Sequence, residues 1–380
     1  MKLFKSLLVA PATLGLLAPM SVTATEVNLN EISNYSDIES IEFANSFNND
    51  DSNLKPLLAG GEGLVDSHSH DGGFSETTTA SFSADMMLGA VDGGTSATDD
   101  AVMAGYSFQI DLNTSFTGED SLDISIDAGN SGGAGIAEFD GNSGGDSLSV
   151  DGVSYTFPLG DKTTVFVGDS MDGSTLYSTA CVYGGQTIQL DDCGNSGAAF
   201  AAGLGTAAGA SYDFGNGFTA AVGYEGQGAS TSGLLTKEGT DVFGGQVTYT
   251  GDTYGVSVTY SDYEATNDTA YTAFNAYYTP DSAGSLPSIS AGYEVGAVDN
   301  STDTSQWMVG LQWDEVGAGT LGAAIGTYGH IADNATEYYM YEAFYSYPMN
   351  DGMTITPVVY VRETSGTDET GLMMKTSFSF

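Results

Sequence analysis

Apolar and polar side chains alternate with a period of two along most of the chain after residue 74. Successive side chains of a β-strand point to opposite faces, so this alternation predicts half-buried strands. The clearest stretches are Tyr106–Leu112, Leu122–Ile126, Val153–Leu159, Phe218–Tyr224, Tyr254–Tyr260, Ile289–Val295, Trp307–Trp313, Tyr339–Tyr347 and Met353–Val361. Short turns separate several of them, with two-residue hairpin signals at Asn216-Gly217, Gly251-Asp252 and Asp351-Gly352. The pattern predicts an antiparallel meander.

Three features favour a membrane barrel over a soluble sandwich. Tyr and Trp lie at the ends of the apolar face, as in Trp307 and Trp313, where a membrane interface places amphipathic rings. The opposite face is rich in Gly, Ser, Thr, Gln, Asp and Glu, which suits a watery interior. The chain ends in an alternating run with Phe378 and Phe380, a signal that the barrel assembly machinery of the outer membrane reads. We therefore expect a protein of the outer membrane, in contact with its lipid.

The length of the array sets the size of the barrel. A tilted spanning strand uses roughly 10 residues, and the connections use about as many again. Residues 74–380 therefore predict an all-β fold, an antiparallel transmembrane β-barrel of about 16 strands. Such a barrel is wide enough to leave an aqueous channel. In one stretch, residues 168–197, the pattern does not place strands, and the loop around Cys181 and Cys193 is our candidate for a segment that folds inward.

The N-terminal part predicts two further regions. Residues 1–24 carry Lys2 and Lys5, an apolar run and the small-residue site Val22-Thr23-Ala24, which together indicate a cleaved signal peptide. Residues 25–73 are acidic and have no apolar period, so we expect a flexible, disordered segment. Within it His68 and His70 alternate with acids, a weak signal for a metal site. We expect no cofactor.

The charge of the chain limits its partners. It has 50 Asp and Glu against 7 Lys and Arg, a formal net charge of −43, which excludes nucleic acid as a partner because too few cations are present to neutralise phosphates. Alternation places several charged residues on the inner face, and carboxylates on a low-dielectric wall concentrate cations. Each of them could instead be a carboxylate of the rim. The candidates for lining the pore are Asp111, Asp123, Asp127, Glu225, Glu294, Glu342 and Arg362.

Two other interpretations concern redox chemistry and catalysis. Export favours a disulfide between Cys181 and Cys193, with two free thiols as the alternative. With three His and no Ser-His-Asp spacing, we expect no enzyme. The competing function is a secreted acidic calcium-binding adhesin or surface-layer protein, suggested by the glycine-rich runs Gly132–Gly135 and Gly144–Leu148. No nonapeptide repeat follows these runs, and an adhesin has no need of Phe380 at its end.

Three parts of the sequence also resemble a known family. These are Met1–Met20, Leu112–Asp120 and Tyr155–Gly160, which are similar to the outer-membrane porins of marine cyanobacteria, relatives of the carbohydrate-selective porins. The resemblance implies a homotrimeric channel for small hydrophilic solutes, with inorganic ions, iron or sugars as cargo. Family members usually carry a surface-layer-homology domain before the barrel. This chain has only residues 26–73 there, so the resemblance gives no support for anchoring to peptidoglycan. Ser121 also departs from the family, where a basic residue is common.

Overall fold

The fold is a single closed sheet of antiparallel strands. The computed structural model describes residues 77–93, 101–199, 205–228, 233–236, 239–264, 268–281 and 286–379. Its strands are β1 (Thr78–Asp92), β2 (Met103–Thr114), β3 (Ser121–Gly129), β4 (Ser149–Pro158), β5 (Thr163–Asp169), β6 (Thr206–Gly215), β7 (Phe218–Gly226), β8 (Asp241–Thr250), β9 (Tyr254–Glu264), β10 (Thr269–Tyr278), β11 (Ser288–Val298), β12 (Thr304–Val316), β13 (Gly319–Thr327), β14 (Ile331–Ala332), β15 (Tyr339–Asn350), β16 (Met353–Arg362) and β17 (Glu369–Ser379).

The sheet closes because the first strand pairs with the last. Strand β1 pairs with β2 on one side and with β17 on the other, from Ser83 opposite Ser379 to Asp92 opposite Thr370. The two-residue β14 continues the line of β13 along β12, so the wall has sixteen strands. This confirms the predicted fold class and strand count. A closed wall pairs its backbone groups internally, as lipid requires. Among the described residues, no helix is long and apolar enough to cross a membrane.

The wall is apolar on its outer face and largely polar on its inner face, the reverse of the arrangement in a soluble protein. In β9 the outward Val256 is 48% exposed, whereas the inward Ser257 and Thr259 are 2% and 0% exposed. Aromatic pairs border the outer apolar band at both ends, for example Phe218 with Tyr249 at one end and Trp307 with Tyr339 at the other. This arrangement is typical of a barrel whose outer face contacts lipid between two aromatic girdles. The predicted lipid-facing side chains are therefore outside, as the alternation indicated.

The connections at the two ends differ in length. The seven turns at one end, beginning with that between β2 and β3, have two to nine residues, and the eight connections at the other have four to 36. Outer-membrane barrels place short turns on the periplasmic side and long loops outside. The turn at Gly251 has three residues rather than the two that the sequence predicted.

One periplasmic turn accounts for the most specific part of the family resemblance. The turn between β2 and β3 closes around the buried carboxylate of Asp120. Its Oδ2 accepts a hydrogen bond from the hydroxyl of Tyr155 at 2.6 Å, and its Oδ1 accepts from the backbone N–H groups of Phe116 at 2.9 Å and Thr117 at 2.8 Å. These bonds, that of Tyr155 first, hold the pKa of Asp120 well below its usual range. The run Leu112–Asp120 therefore encodes a locked turn.

The lipid-facing assignment leads to a stability prediction. Val222, at the centre of β7, is 60% exposed on the outer face. We expect Val222→Arg to lower the free energy of unfolding in lipid vesicles by about 2–4 kcal/mol, because the charge enters the hydrocarbon core. Asp252→Arg, in the exposed turn after β8, is the control and should change stability by about 0–1 kcal/mol. Urea titration of both variants measures this, and equal losses would contradict a lipid-facing Val222.

Some predictions concern the part of the chain outside the described residues. The signal peptide (residues 1–24), the whole acidic segment (residues 25–73) with His68 and His70, and Phe380 lie there, and the division into these regions and a barrel from residue 74 stays a prediction. The competing calcium-binding adhesin was suggested by glycine-rich runs, and repeats of such runs form parallel β-coils. Every pairing of the described wall is instead antiparallel.

Candidate functional site

The connection between β5 and β6 folds into the barrel and runs along its inner wall. We call its described residues 170–199 the constriction segment. Its backbone N–H groups donate to inward side chains of successive strands: Ser178 to Gln246 of β8 at 2.5 Å, Ala180 to Ser257 of β9 at 3.0 Å, Val182 to Ser290 of β11 at 3.0 Å and Gly184 to Gln312 of β12 at 2.9 Å. These contacts confirm that the segment around Cys181 and Cys193 folds inward.

Three predicted pore-lining glutamates lie on the inner wall beneath this segment. Glu225 of β7 accepts a hydrogen bond from the backbone N–H of Gly173 at 3.2 Å. Glu294 of β11 accepts from Gly197 at 3.2 Å and Ala198 at 2.6 Å. Glu342 of β15 accepts from Gln186 at 3.1 Å and Thr187 at 2.9 Å. The three side chains are buried, so they contact the segment rather than the water of a passage.

Glycines on the inner wall let the segment approach this closely. A Cβ atom added to Gly292 would lie 1.8 Å from the carbonyl oxygen of Cys193, and one on Gly223 would lie 1.9 Å from that of Gly173. A Cβ on Gly310 would lie 2.5 Å from the ring of Tyr183. Glycine at these three positions therefore allows the constriction segment to lie directly against the wall.

Within the constriction segment, a disulfide joins Cys181 and Cys193. It encloses the residues that bind Glu342, together with Asp191 and Asp192. The carbonyl oxygen of Cys193 accepts a hydrogen bond from the side-chain amide of Asn275 at 2.8 Å. The disulfide loop is therefore attached to the wall at both ends.

The connection between β3 and β4 also folds inward. It contains a 3₁₀ helix, Ala137–Phe139, whose Glu138 carbonyl accepts a hydrogen bond from the backbone N–H of Ile188 in the constriction segment at 3.1 Å. The Glu138 carboxylate lies 3.0 Å from Nη1 of Arg362, which also contacts Glu369. Arg362, a predicted pore-lining residue, is therefore paired on both sides. Apart from its glycine-rich runs, nothing in the sequence indicated this second inward segment.

An apolar cluster joins the two inward segments to one side of the wall. This interior differs from the uniformly polar one that the alternation predicted. Met and aromatic side chains occupy inward positions on β1, β12 and β15–β17 because the segments cover them and keep them from water. The cluster contains Met87, Val91, Ile136, Phe139, Tyr183, Leu190, Met308, Ala324, Met340, Phe344, Val358, Tyr360 and Met373.

Carboxylates of the two inward segments lie close enough to repel one another. Asp140, directly after the 3₁₀ helix, and Asp191 and Asp192 of the constriction segment have exposed side chains. Although the side chain of Asp191 is exposed, the protein that surrounds it removes part of its solvation; this loss, followed by repulsion from Asp192 and Asp140, raises the pKa of Asp191 to about 7. The pKa of Asp192 is raised for the same main reason, with Glu294 and Asp140 adding to the rise. Sequence reasoning missed these three residues because the alternation that marks inner-face positions is confined to strands.

The remaining predicted carboxylates lie on the inner face of β2 and β3. Asp111 accepts a hydrogen bond from the hydroxyl of Ser125 at 2.7 Å, and Asp123 accepts from the side-chain amide of Asn113 at 2.6 Å. Both are half-buried, whereas Asp127 is buried and accepts from Ser149. These strands carry an acidic strip.

Few cations face these carboxylates. The basic residues within the described ranges are Lys162, Arg362 and Lys375. Lys162 lies in an exposed turn, and the ammonium of Lys375 lies 5.3 Å from the ring centroid of Phe139. Arg362 is held by two glutamates. In this part of the chain, the exposed charge inside the barrel is therefore mainly negative.

Comparison with known proteins supports the fold. No protein-family model and no curated protein sequence matches the chain. A high-pH structure of OprB from Pseudomonas putida is similar at a TM-score of 0.59 and 13% identity, over 80% of this chain and 94% of that one. OmpT of Vibrio cholerae, an outer membrane protein without its loop L8, has a TM-score of 0.56 and 11% identity over 80% and 100%. A mutant of the Rh. blastica porin has a TM-score of 0.51 and 14% identity over 80% of this chain and 100% of that one. The chain therefore has the fold of outer-membrane porins.

Proposed function

We propose that this protein is an outer-membrane porin, a water-filled channel through which small hydrophilic solutes and inorganic ions diffuse, with a preference for cations. Its place in the outer membrane follows from the closed wall with an apolar, aromatic-bordered outer face. The cation preference rests on one observation: Asp140, Asp191 and Asp192 are exposed between the inward segments, while Arg362 is already paired. Carboxylates in a low-dielectric surrounding attract cations and repel anions.

The acidic strip of β2 and β3 extends this proposal along the wall. Asp111, Asp123 and Asp127 border the side of the interior that the apolar cluster leaves free. Sugars as cargo and a homotrimeric assembly come from the family resemblance and belong to the same proposal. Recognition by the barrel assembly machinery, which the alternating run with Phe378 and Phe380 predicts, belongs to it as well. No enzymatic step is part of it.

The reversal potential of the purified protein in a planar bilayer under a KCl gradient tests the preference. We expect the sign that corresponds to K⁺ passing more readily than Cl⁻. The preference should weaken in 1 M salt, where the Debye length is about 3 Å and the carboxylates are screened. A reversal potential near zero at low salt, or one of the opposite sign, would contradict the proposal.

A further inference from the structure

Two of the buried wall glutamates hold the constriction segment on either side of its exposed acid pair. Along the chain, Gln186 and Thr187 bind Glu342, Asp191 and Asp192 follow, and Gly197 and Ala198 then bind Glu294. We propose that Glu294 and Glu342 are positioning residues of the constriction: they hold Asp191 and Asp192 at the passage and are not themselves charges of the passage. This inference rests on the proposed function, whose selectivity it assigns to the residues between the two attachments.

The surroundings of Glu342 match those of an anchor. Its Oε1 accepts hydrogen bonds from the hydroxyl of Tyr183 at 2.6 Å and the backbone N–H of Gln186 at 3.1 Å, and its Oε2 accepts from Thr187 at 2.9 Å. The side chain is 4% exposed. Bonds to an ionised carboxylate are about twice as strong as those between neutral groups. All three donors belong to the constriction segment, so this one wall residue holds a continuous part of it.

Glu294 forms the second attachment, on a different part of the wall. It is 0% exposed, and its two oxygens accept from the backbone N–H groups of Gly197 and Ala198. The side-chain amide of Gln306 donates to Oε1 at 2.9 Å, and Nε2 of His330 lies 2.5 Å from the same oxygen. Donors from the segment and from the wall thus converge on one buried carboxylate.

These surroundings differ from those of the carboxylates on β2 and β3. Asp123 is half-buried and contacts Asn113 of β2 and Ser121 of β3, which both belong to the wall. A buried charge that is surrounded by hydrogen-bond donors interacts more strongly with those donors than with an ion that passes through the channel. A glutamate that holds the segment should therefore affect the ion selectivity indirectly, by fixing the positions of Asp191 and Asp192.

Matched variants separate positioning from direct charge. Glu342→Gln and Glu294→Gln each remove one negative charge and place the N–H donors of a side-chain amide against the backbone N–H donors of the constriction segment. Asp123→Asn also removes one negative charge, but this residue does not contact the segment. Gly310→Ala removes no charge but places a Cβ atom against the ring of Tyr183. In single-channel recordings we expect both glutamine variants and Gly310→Ala to fluctuate between conductance levels and to lose cation preference by at least about threefold. Asp123→Asn should keep a steady conductance and shift selectivity only slightly.

A second measurement does not depend on ion flow. The rate at which a water-soluble phosphine reduces the disulfide between Cys181 and Cys193, followed by alkylation and mass spectrometry, reports how often the segment leaves the wall. We expect this rate to rise at least about tenfold in Glu342→Gln, Glu294→Gln and Gly310→Ala, and to be unchanged in Asp123→Asn. Heat-modifiable migration on gels verifies folding, and Tyr183→Phe, which removes one hydroxyl, serves as a milder variant if a glutamine variant does not fold.

The outcomes are distinct. If the glutamine variants behave like Asp123→Asn in both measurements, Glu294 and Glu342 are ordinary charges of the passage and the inference is wrong. If the wild-type channel shows no cation preference but the reduction rates rise as expected, the proposed selectivity fails while the positioning role stands.

Discussion

Replacing Asp191 and Asp192 with lysine is expected to abolish the cation preference of the channel or to invert it. Both side chains are exposed between the two inward segments, and Asp140 lies near enough to raise their pKa values by repulsion. The double variant changes a cluster of three negative charges into one with a net positive charge. Because charged clefts change local ion concentrations by about tenfold or more, the ratio of K⁺ to Cl⁻ permeability should fall by at least about tenfold.

The control for this variant has the same change in net charge at a distant place. Asp252→Lys together with Asp351→Lys alters two exposed residues in short turns at the periplasmic end. Reversal potentials in a KCl gradient at low salt should stay within about twofold of wild type for this pair, because screening limits their reach to about 10 Å at 0.1 M. Equal effects of the two double variants would show that total charge, and not the constriction, sets the selectivity.

Acidification from pH 8 to pH 6 is expected to reduce the cation preference, with a midpoint near pH 7. The pKa of Asp191 is raised to about 7, mainly by loss of solvation and then by repulsion from Asp192, Asp140 and Glu342. An ordinary aspartate keeps its charge throughout this range. As the pH falls through 7, Asp191 takes up a proton, and the constriction loses one negative charge.

The variant Asp191→Asn should flatten this step and should resemble the wild-type channel at pH 6. The same proton affects stability, because the folded protein binds it more tightly than the unfolded chain does. The contribution of Asp191 to the free energy of unfolding is fully present below the ordinary aspartate pKa of about 4, decreases as the pH rises above that value, and is lost by pH 7. Reversal potentials measured at intervals of half a pH unit determine the midpoint. A wild-type selectivity that is constant from pH 8 to pH 5.5 would contradict a titrating group at the constriction.

The alternation predicted the wall well because it is a local property. In β9 and β11, each side chain shows from its position alone whether it faces lipid or the interior, and exposure follows that order along both strands. The strand count followed from length, since each crossing of a bilayer needs a fixed number of residues. The same reasoning placed Glu225, Glu294 and Glu342 on the inner face, where the structure has them.

The role of those glutamates was harder to predict. Alternation shows which face a residue occupies but not what covers that face. Glu342 binds Thr187, 155 positions earlier in the chain, and Glu294 binds Ala198, 96 positions earlier. The interior methionines Met308, Met340 and Met373 likewise look misplaced in the sequence, because an inner face was expected to contact water.

By itself the sequence determined the barrel, its outer face, its size and its strongly negative charge, since strand periodicity and composition act residue by residue. The tertiary structure alone decided which part of the interior is filled, because that depends on two long connections folding back on wall glycines and glutamates. It also separated the carboxylates into two groups. Glu294 and Glu342 accept hydrogen bonds from backbone N–H groups of the constriction segment and hold it, whereas Asp191 and Asp192 of that segment have exposed side chains.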